Sequence, residues 1–449
     1  MNRNQPTISK GVDWSLIWLY LLLVAIGITA IFAATYRDGD PIVQSFFSFR
    51  TDYSKQLLYF FIAGMLGIFI LLTDSKFFTA TANLWYALGI LLMLLVFPFH
   101  SNVKGTESII RFGSAFQFQP AEFCKVSVCL ALAKYLSLPD QDFTRTRSQL
   151  IATAIALAPA VLSIAQKETG LALVYFSFFI VMYREGLPAT VLIVFFSVAT
   201  LVVATLLMDK WVLVIILTGI ALMVVYLLWR QIRRDRFVFV KVAFVWGLCV
   251  FVQLVAVPLL FKNVFKPYQT QRIFATLGRD VPTEYMKESE RRKLELENRK
   301  KKKDDNYNVR QSMIAIGSGG LSGRGLLQGT QTRGDFVPEQ RTDFIFSTIG
   351  EGFGFAGTAT VLVIYLVLLF RIVAVAERQR SVFSRCYAYG VASVFFFHVV
   401  INICMTMGLA PVIGIPLPFL SYGGTALLTF TILLFILIRL DADRQMVLR

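Results

Sequence analysis

Apolar runs close to twenty residues long recur along this chain, separated by short polar or charged stretches. A helix needs about 20 apolar residues to cross a bilayer, so these runs predict transmembrane helices. Up to twelve spans can be placed, near 14–34, 57–72, 82–98, 121–136, 149–165, 170–184, 187–208, 211–229, 239–261, 344–370, 386–408 and 422–438. The runs lack the alternating pattern of about ten residues that an outer-membrane barrel strand carries. Helices are also the form in which a lipid-exposed backbone satisfies its own polar groups. The predicted fold class is an all-α polytopic membrane protein of about 10–12 transmembrane helices with a large extracytoplasmic loop. The predicted division is an N-terminal membrane bundle (1–261), an extracytoplasmic loop (262–343) and a C-terminal bundle (344–449). No cleavable signal peptide is evident, so the first span is expected to serve as its own insertion signal.

Charge fixes the expected orientation. Arg230, Arg233, Arg234, Arg236 and Lys241 crowd one short turn, Arg371, Arg378, Arg380 and Arg385 another, and Arg439, Arg444 and Arg449 the C-terminal tail. With both termini cytoplasmic all three groups fall inside, as the positive-inside rule requires, and the 262–343 loop falls outside. The net charge of +16 then reads as topology and contact with anionic membrane lipids. No nucleic-acid-binding motif accompanies it. Residues 278–306 carry both signs of charge at helix-compatible spacing and read as a solvated insertion. The five cysteines lie in or beside apolar runs, which suits buried thiols. His100 and His398 are not spaced as metal ligands, so no structural metal is expected. A catalytic divalent cation held by carboxylates is compatible with the sequence, and no other cofactor is implied.

Candidate chemistry gathers at the outer ends of the spans. A glycine-rich loop, IGSGGLSGRG, precedes Gln331, and beyond it Glu339, Arg341 and Asp343 are expected in the first turns of a helix started by Pro338. A carboxylate beside cations at the water–lipid boundary suits work on a polar headgroup carried by a lipid. In RFGSAFQFQPAEFCK, Pro120 marks a helix start, and Glu122 and Lys125 then share one helical face at i,i+3. That pair is either a plain intrahelical ion pair or part of a substrate path. AQKETG (165–170) is a tight turn holding Lys167 and Glu168, as readily a simple hairpin as a site. Pro411, Pro416 and Pro418 forbid a regular helix in GLAPVIGIPLPFLSYGG, which points to a re-entrant segment lining a cavity.

NICMTMGLAPVIGIPLPFLSYGGTA (402–426) resembles the signature of the SEDS family, the polytopic proteins of bacterial shape, elongation, division and sporulation. FQPAEFCK, YQTQRI, QSMIAIGSGGLSGRG and FVPEQRTDFIFSTIGEGFGFAG resemble its other blocks, in the same order, over nearly the whole chain. GVDWSLI and the TDFIF form resemble the elongation member more than the division member. Two features depart from the family pattern. QKETGLA replaces the usual QPDLGTA, and the spans near 211–229 and 239–261 form an extra hairpin.

The resemblance implies a peptidoglycan glycosyltransferase of the bacterial inner membrane. It would polymerise lipid II, a polyprenyl-pyrophosphate-linked disaccharide peptide, during cell-wall elongation and rod-shape maintenance. It also implies a class B penicillin-binding protein transpeptidase and other elongation-complex proteins as partners. Asp343 matches the family's catalytic position, as general base toward the acceptor hydroxyl. Glu122, Lys125, Arg111, Glu168, Arg272, Arg324, Gln331, Glu339 and Ser421 are the expected substrate-binding residues. The cations among them, with Arg333, would stabilise the leaving pyrophosphate, and the glycine-rich loop would either offer it backbone N–H groups or serve as a flexible connection. Two other functions remain in view: a lipid II flippase or transporter, and a non-enzymatic scaffold of the elongation complex.

Overall fold

A computed structural model describes residues 11–36, 51–99, 101–103, 106–112, 116–139, 142–166, 168–263, 307–410 and 412–444, with single positions 49, 270, 274 and 282. Arg272, Lys167 and, apart from position 282, the charged insertion 278–306 lie outside the described residues. In chain order the helices are α1 (Trp14–Thr35), α2 (Asp52–Leu72), α3 (Ser75–Phe99), α4 (Pro120–Leu136), α5 (Thr146–Ala165), α6 (Thr169–Val174) and α7 (Phe178–Arg184). They continue with α8 (Ala189–Leu207), α9 (Lys210–Leu227), α10 (Trp229–Arg234), α11 (Arg236–Phe251) and α12 (Val257–Asn263). A helical stretch over 307–318 follows. The series closes with α13 (Thr330–Arg333), α14 (Ile345–Glu377), α15 (Val382–Thr406) and α16 (Gly424–Ala442).

Every predicted span falls on helical chain, with 170–184 divided between two short helices. Among the described residues, nine helices are long and apolar enough to cross a membrane. The predicted spans outside that set are 121–136, on the 17-residue α4 with its buried charges, 170–184, broken between α6 and α7, and 187–208, on α8. Sequence alone did not predict the small antiparallel sheet β1 (Ser101–Val103), β2 (Thr106–Phe112) and β3 (Phe116–Phe118), in that order, leading into α4.

The chain forms two compact units, 1–187 with 308–449, and 188–307. The loop-based division at 261 and 343 follows the chain, whereas the contacts join helices from both ends of the sequence in one unit. In that larger unit α15 and α16 are largely buried. The first packs on α14 and α4, the second on α2 and α4. Met65, Phe69 and Phe370 stay exposed on other helices, as expected of surfaces that face lipid. Aromatic rings fill the centre: Phe419 meets Tyr20 edge-on at 5.0 Å, and Phe395 lies 5.4 Å from Phe419 and 5.3 Å from Phe430. The smaller unit contains α8–α12 and a core of Leu206, Val257, Phe261 and Phe274.

One end of the larger unit is tied by ion pairs. Asp13, just before α1, accepts from Arg371 at 3.0 Å and from Arg378 at 2.7 Å. Arg378 also donates to Asp441 at 2.9 Å, so the ends of α1, α14 and α16 share one network. Burial by itself would raise the Asp13 carboxyl, but the two guanidiniums outweigh it and hold the group below the usual carboxylate range. A depressed carboxyl stabilises the fold above its unfolded value, near 3.8, and that stability is lost as pH falls through the lower folded value. Asp13→Asn is therefore expected to lower the melting temperature at pH 7. The gap to wild type should close as the pH is taken below about 4, which a pair of thermal melts would check.

Candidate active site

Asp343 lies in the turn ahead of α14, not in its first turns. Pro338 does not start that helix, because Glu339 adopts a left-handed φ of 57° and α14 begins only at Ile345. Turns fill the interval, with Thr342 and Phe344 both donating backbone N–H groups to the Glu339 carbonyl. A non-glycine residue at positive φ stores strain, and here it turns 340–344 into the protein. Phe344 anchors the turn in a core of Ala315, Val337 and Met405. Asn402 of α15 donates to the Asp343 carbonyl at 2.8 Å and to the Ile415 carbonyl at 2.7 Å, so one buried amide ties the turn to the proline-rich segment.

That segment is irregular, as its prolines require: 412–417 has no regular structure and 418–420 is a turn. It runs alongside Asp343. A Cβ placed on Gly414, whose φ is +72°, would sit 3.4 Å from Asp343 Oδ2, so the carboxylate lies against bare backbone. Ser421 donates to the Thr342 carbonyl at 2.6 Å and accepts from Leu417 N–H at 2.8 Å. Tyr422 N–H donates to the Arg341 carbonyl at 2.9 Å, and Arg341 pairs with Asp52 of α2. Gln56, also on α2, accepts from Gly423 N–H at 3.1 Å. On the other flank the Ile413 carbonyl would lie 2.3 Å from a Cβ on Gly170, which brings the 165–170 turn to the same place. There Glu168 is buried and accepts from Ser108 of β2 at 2.5 Å. Asp343 and Glu339 are half-buried, and Glu339 accepts from Thr342 Oγ at 3.0 Å.

Glu122 and Lys125 form the predicted ion pair, at 2.6 Å, on the first turns of α4 with Pro120 at its start. Both side chains are enclosed, 2% and 0% exposed. The Lys125 ammonium also lies 2.8 Å from His398 Nε2 and 5.0 Å above the Phe430 ring. Lys125 is one of the residues expected to meet substrate phosphate, and its side chain is fully enclosed. Contact with a phosphate needs an accessible ammonium, and this one is spent on Glu122, His398 and an aromatic face. His398 and Asn402 are the polar groups that reading the sequence for chemistry missed. The available signal was a histidine inside an apolar span, a placement usually reserved for function.

The glycine-rich loop has a structural task. Gly354, with φ 63° and ψ −159°, breaks α14. The loop satisfies the groups freed by the break. Arg324 and Gly325 donate to the Glu351 and Gly352 carbonyls at 3.0 and 2.9 Å, while Phe355 and Ala356 donate to the Gly320 and Leu321 carbonyls at 2.8 and 3.0 Å. Arg324 and Gly325 N–H are thus spent inside the protein, and Gly319, Gly320 and Gly323 N–H bond within the loop or to the helical stretch before it. Of the two uses expected, a phosphate cradle would need these groups free. A Cβ on Gly323, whose φ is +83°, would meet the Gly352 carbonyl at 2.2 Å, whereas one on Gly317 meets nothing within 4 Å. Gly323→Ala is accordingly expected to cost about 3 kcal/mol or more, and Gly317→Ala close to nothing. Thermal melts in detergent would separate the two.

Buried Glu351 holds α13 by accepting from Gln331 N–H and Thr332 N–H, each at 2.8 Å, and from Thr332 Oγ at 2.6 Å. Gln331 is half-buried there. Arg324 is exposed and donates to Ser318 O at 3.1 Å and Thr330 Oγ at 3.0 Å, and exposed Arg111 pairs in register with Gln117 across β2 and β3. Asp343, Glu339 and Ser421 are therefore brought together, the turn that carries buried Glu168 meets the Ile413 carbonyl through Gly170, and Glu122–Lys125 are enclosed, with Lys125 joined to Pro416 through His398. Among the described residues no group of three or more His, Cys, Asp or Glu side chains is placed to hold a metal ion.

Apolar helices around a half-buried carboxylate, walled by re-entrant backbone at one end of the bundle, define a multi-pass membrane protein with a polar site. A family model described as cell cycle protein, FtsW/RodA/SpoVE, matches residues 13–243 and 237–446. The chain belongs to that family. It is 29% identical over 456 residues to the peptidoglycan glycosyltransferase RodA of Treponema pallidum (strain Nichols), covering 96% of this chain and 97% of that protein. It is 28% identical over 362 residues to the peptidoglycan glycosyltransferase MrdB of Escherichia coli (strain K12), covering 80% and 78%. Its fold is similar to that of a solved chain from a peptidoglycan synthase complex that coordinates polymerization and crosslinking, with a TM-score of 0.64, 23% identity and coverage of 96% and 98%.

Proposed function

We propose that this chain is a peptidoglycan glycosyltransferase that polymerises lipid II during cell-wall elongation, with Asp343 as general base. The observation that carries the reading is the seat of Asp343, half-buried against the bare backbone at Gly414, where the 340–344 turn, the 412–417 segment and the 165–170 turn meet. In the reaction the 4-hydroxyl of an acceptor sugar attacks the anomeric carbon of a second unit. The new glycosidic C–O bond forms as the bond to pyrophosphate breaks, polyprenyl pyrophosphate leaves with the bonding pair, and Asp343 takes the hydroxyl proton. Accessible cations, Arg324 and Arg111 among them, suit the pyrophosphate. Arg272 joins them by its place in the family block. Glu339, Gln331 and Ser421 shape the approach, and Glu122–Lys125 support it from behind. A carboxylate-bound divalent cation would add to the stabilisation of the leaving group.

The family relatives' names, RodA and MrdB, support the elongation role. We place the protein in the bacterial inner membrane with both termini cytoplasmic and Asp343 outside, as the arginine-rich turns favour. A crosslinking transpeptidase is the proposed partner. The flippase and scaffold readings lack an observation of comparable weight. The test is lipid II polymerisation by the purified protein with that transpeptidase, with product length read on a gel. Glycan strands are expected. Their absence, where a control polymerase works, would return the flippase or scaffold.

A further inference from the structure

His398 lies at the centre of a connection that neither the general-base chemistry nor the sequence motifs account for. Its Nε2 is 2.8 Å from the Lys125 ammonium, and its Nδ1 is 3.0 Å from the Pro416 carbonyl. The Phe430 ring packs edge-on at 4.8 Å, and the whole side chain is buried. Hydrogen-bond chemistry leaves one assignment. A carbonyl only accepts, so Nδ1 carries the proton and donates to Pro416. An ammonium only donates, so Nε2 offers its lone pair to Lys125. The imidazole is then neutral and held as a single tautomer between two partners.

We propose that His398 is a positioning residue for the polymerisation reaction, passing the fixed geometry of the Glu122–Lys125 pair on α4 to the Pro416 carbonyl and so fixing the 412–417 backbone against Asp343. The inference deepens the polymerase reading and rests on it. The relay is short: Glu122 Oε2, Lys125 Nζ and the His398 ring lead to Pro416, two residues from the Gly414 that abuts the Asp343 carboxylate. The segment has no helical or strand bonds of its own across 412–417, so its side-chain ties set its path. His398 ties Pro416 and Asn402 ties Ile415, both from α15. Displacing a catalytic wall by about 1 Å costs on the order of 10²-fold in rate, while bulk substrate binding is affected far less.

The chain has two histidines, so His100→Gln leaves His398 as the sole imidazole for ¹⁵N NMR of the full-length protein in nanodiscs. A neutral ring protonated at Nδ1 is expected, and a ring protonated at Nε2 or at both nitrogens would overturn the proposal. In the kinetic arm, His398→Leu removes both hydrogen bonds, whereas His398→Gln keeps an acceptor and a donor. His398→Leu should lower kcat for lipid II by about 10²-fold with KM within about 3-fold, and His398→Gln should recover most of the loss. Hydrogen exchange across 412–420 should speed up in His398→Leu and stay near wild type in His398→Gln. Unchanged kcat and unchanged exchange in His398→Leu would sink the positioning role. If wild type itself made no polymer, the polymerase reading would fail, while the tautomer and the exchange rates would still decide whether the relay exists.

Discussion

Asp343→Asn is expected to lower lipid II polymerisation by roughly 10²–10⁴-fold, the contribution of a positioned general base. The substitution keeps the shape of the side chain and leaves the bond from Asn402 untouched, because that bond goes to the Asp343 backbone carbonyl. The variant should therefore melt near the wild-type temperature and still assemble with the proposed transpeptidase partner. Loss of kcat with an intact fold is the informative pattern, since it removes an interaction of the transition state and leaves binding in place. Polymerisation within a few-fold of wild type would move the base elsewhere. Glu339 would be the next test, being half-buried on the same turn, whereas Glu122 is sealed inside.

The largest effect on stability is expected from Lys125→Met. The ammonium is completely enclosed, so its removal strands the Glu122 carboxylate and leaves His398 Nε2 without a donor. Breaking a buried pair by deleting one partner typically costs about 3–5 kcal/mol. Replacing both partners is a different experiment. Glu122→Gln with Lys125→Met removes the isolated charge, so the double variant should melt well above Lys125→Met alone. A double-mutant cycle from thermal melts would give the coupling. Additive losses would show that the two side chains do not act as a pair, against the 2.6 Å contact.

Much of the membrane architecture was legible because hydropathy is a local property. Every span from Trp14 to Ala442 falls on an apolar run, and Pro411, Pro416 and Pro418 announced the irregular segment. The Glu122–Lys125 pair was legible too, since i,i+3 spacing on a helix dictates contact. What escaped depends on partners far away in sequence. The left-handed turn at Glu339 has no residue signature, so Asp343 was expected inside a helix that begins after it. The glycines of 317–325 suited either a phosphate cradle or a connection, and only the break at Gly354 shows which N–H groups are already spent. His398 meets Lys125 across 273 positions of chain, a distance no motif spans.

The break at Gly354 also bears on where the proposed chemistry would be carried out. At 1.5 Å per residue the 33 residues of α14 would measure about 50 Å, far beyond a hydrocarbon slab of about 30 Å. The part after the break, 355–377, is about 35 Å long and matches the slab with a modest tilt. On the proposed reading, the short arm before it and Asp343 just ahead then lie at headgroup depth. On that same proposed reading, a lipid-anchored donor is cleaved without being lifted from the leaflet. Its spent carrier would be released already at the level of neighbouring phosphates, free to diffuse sideways, while the lengthening sugar chain is paid out into water.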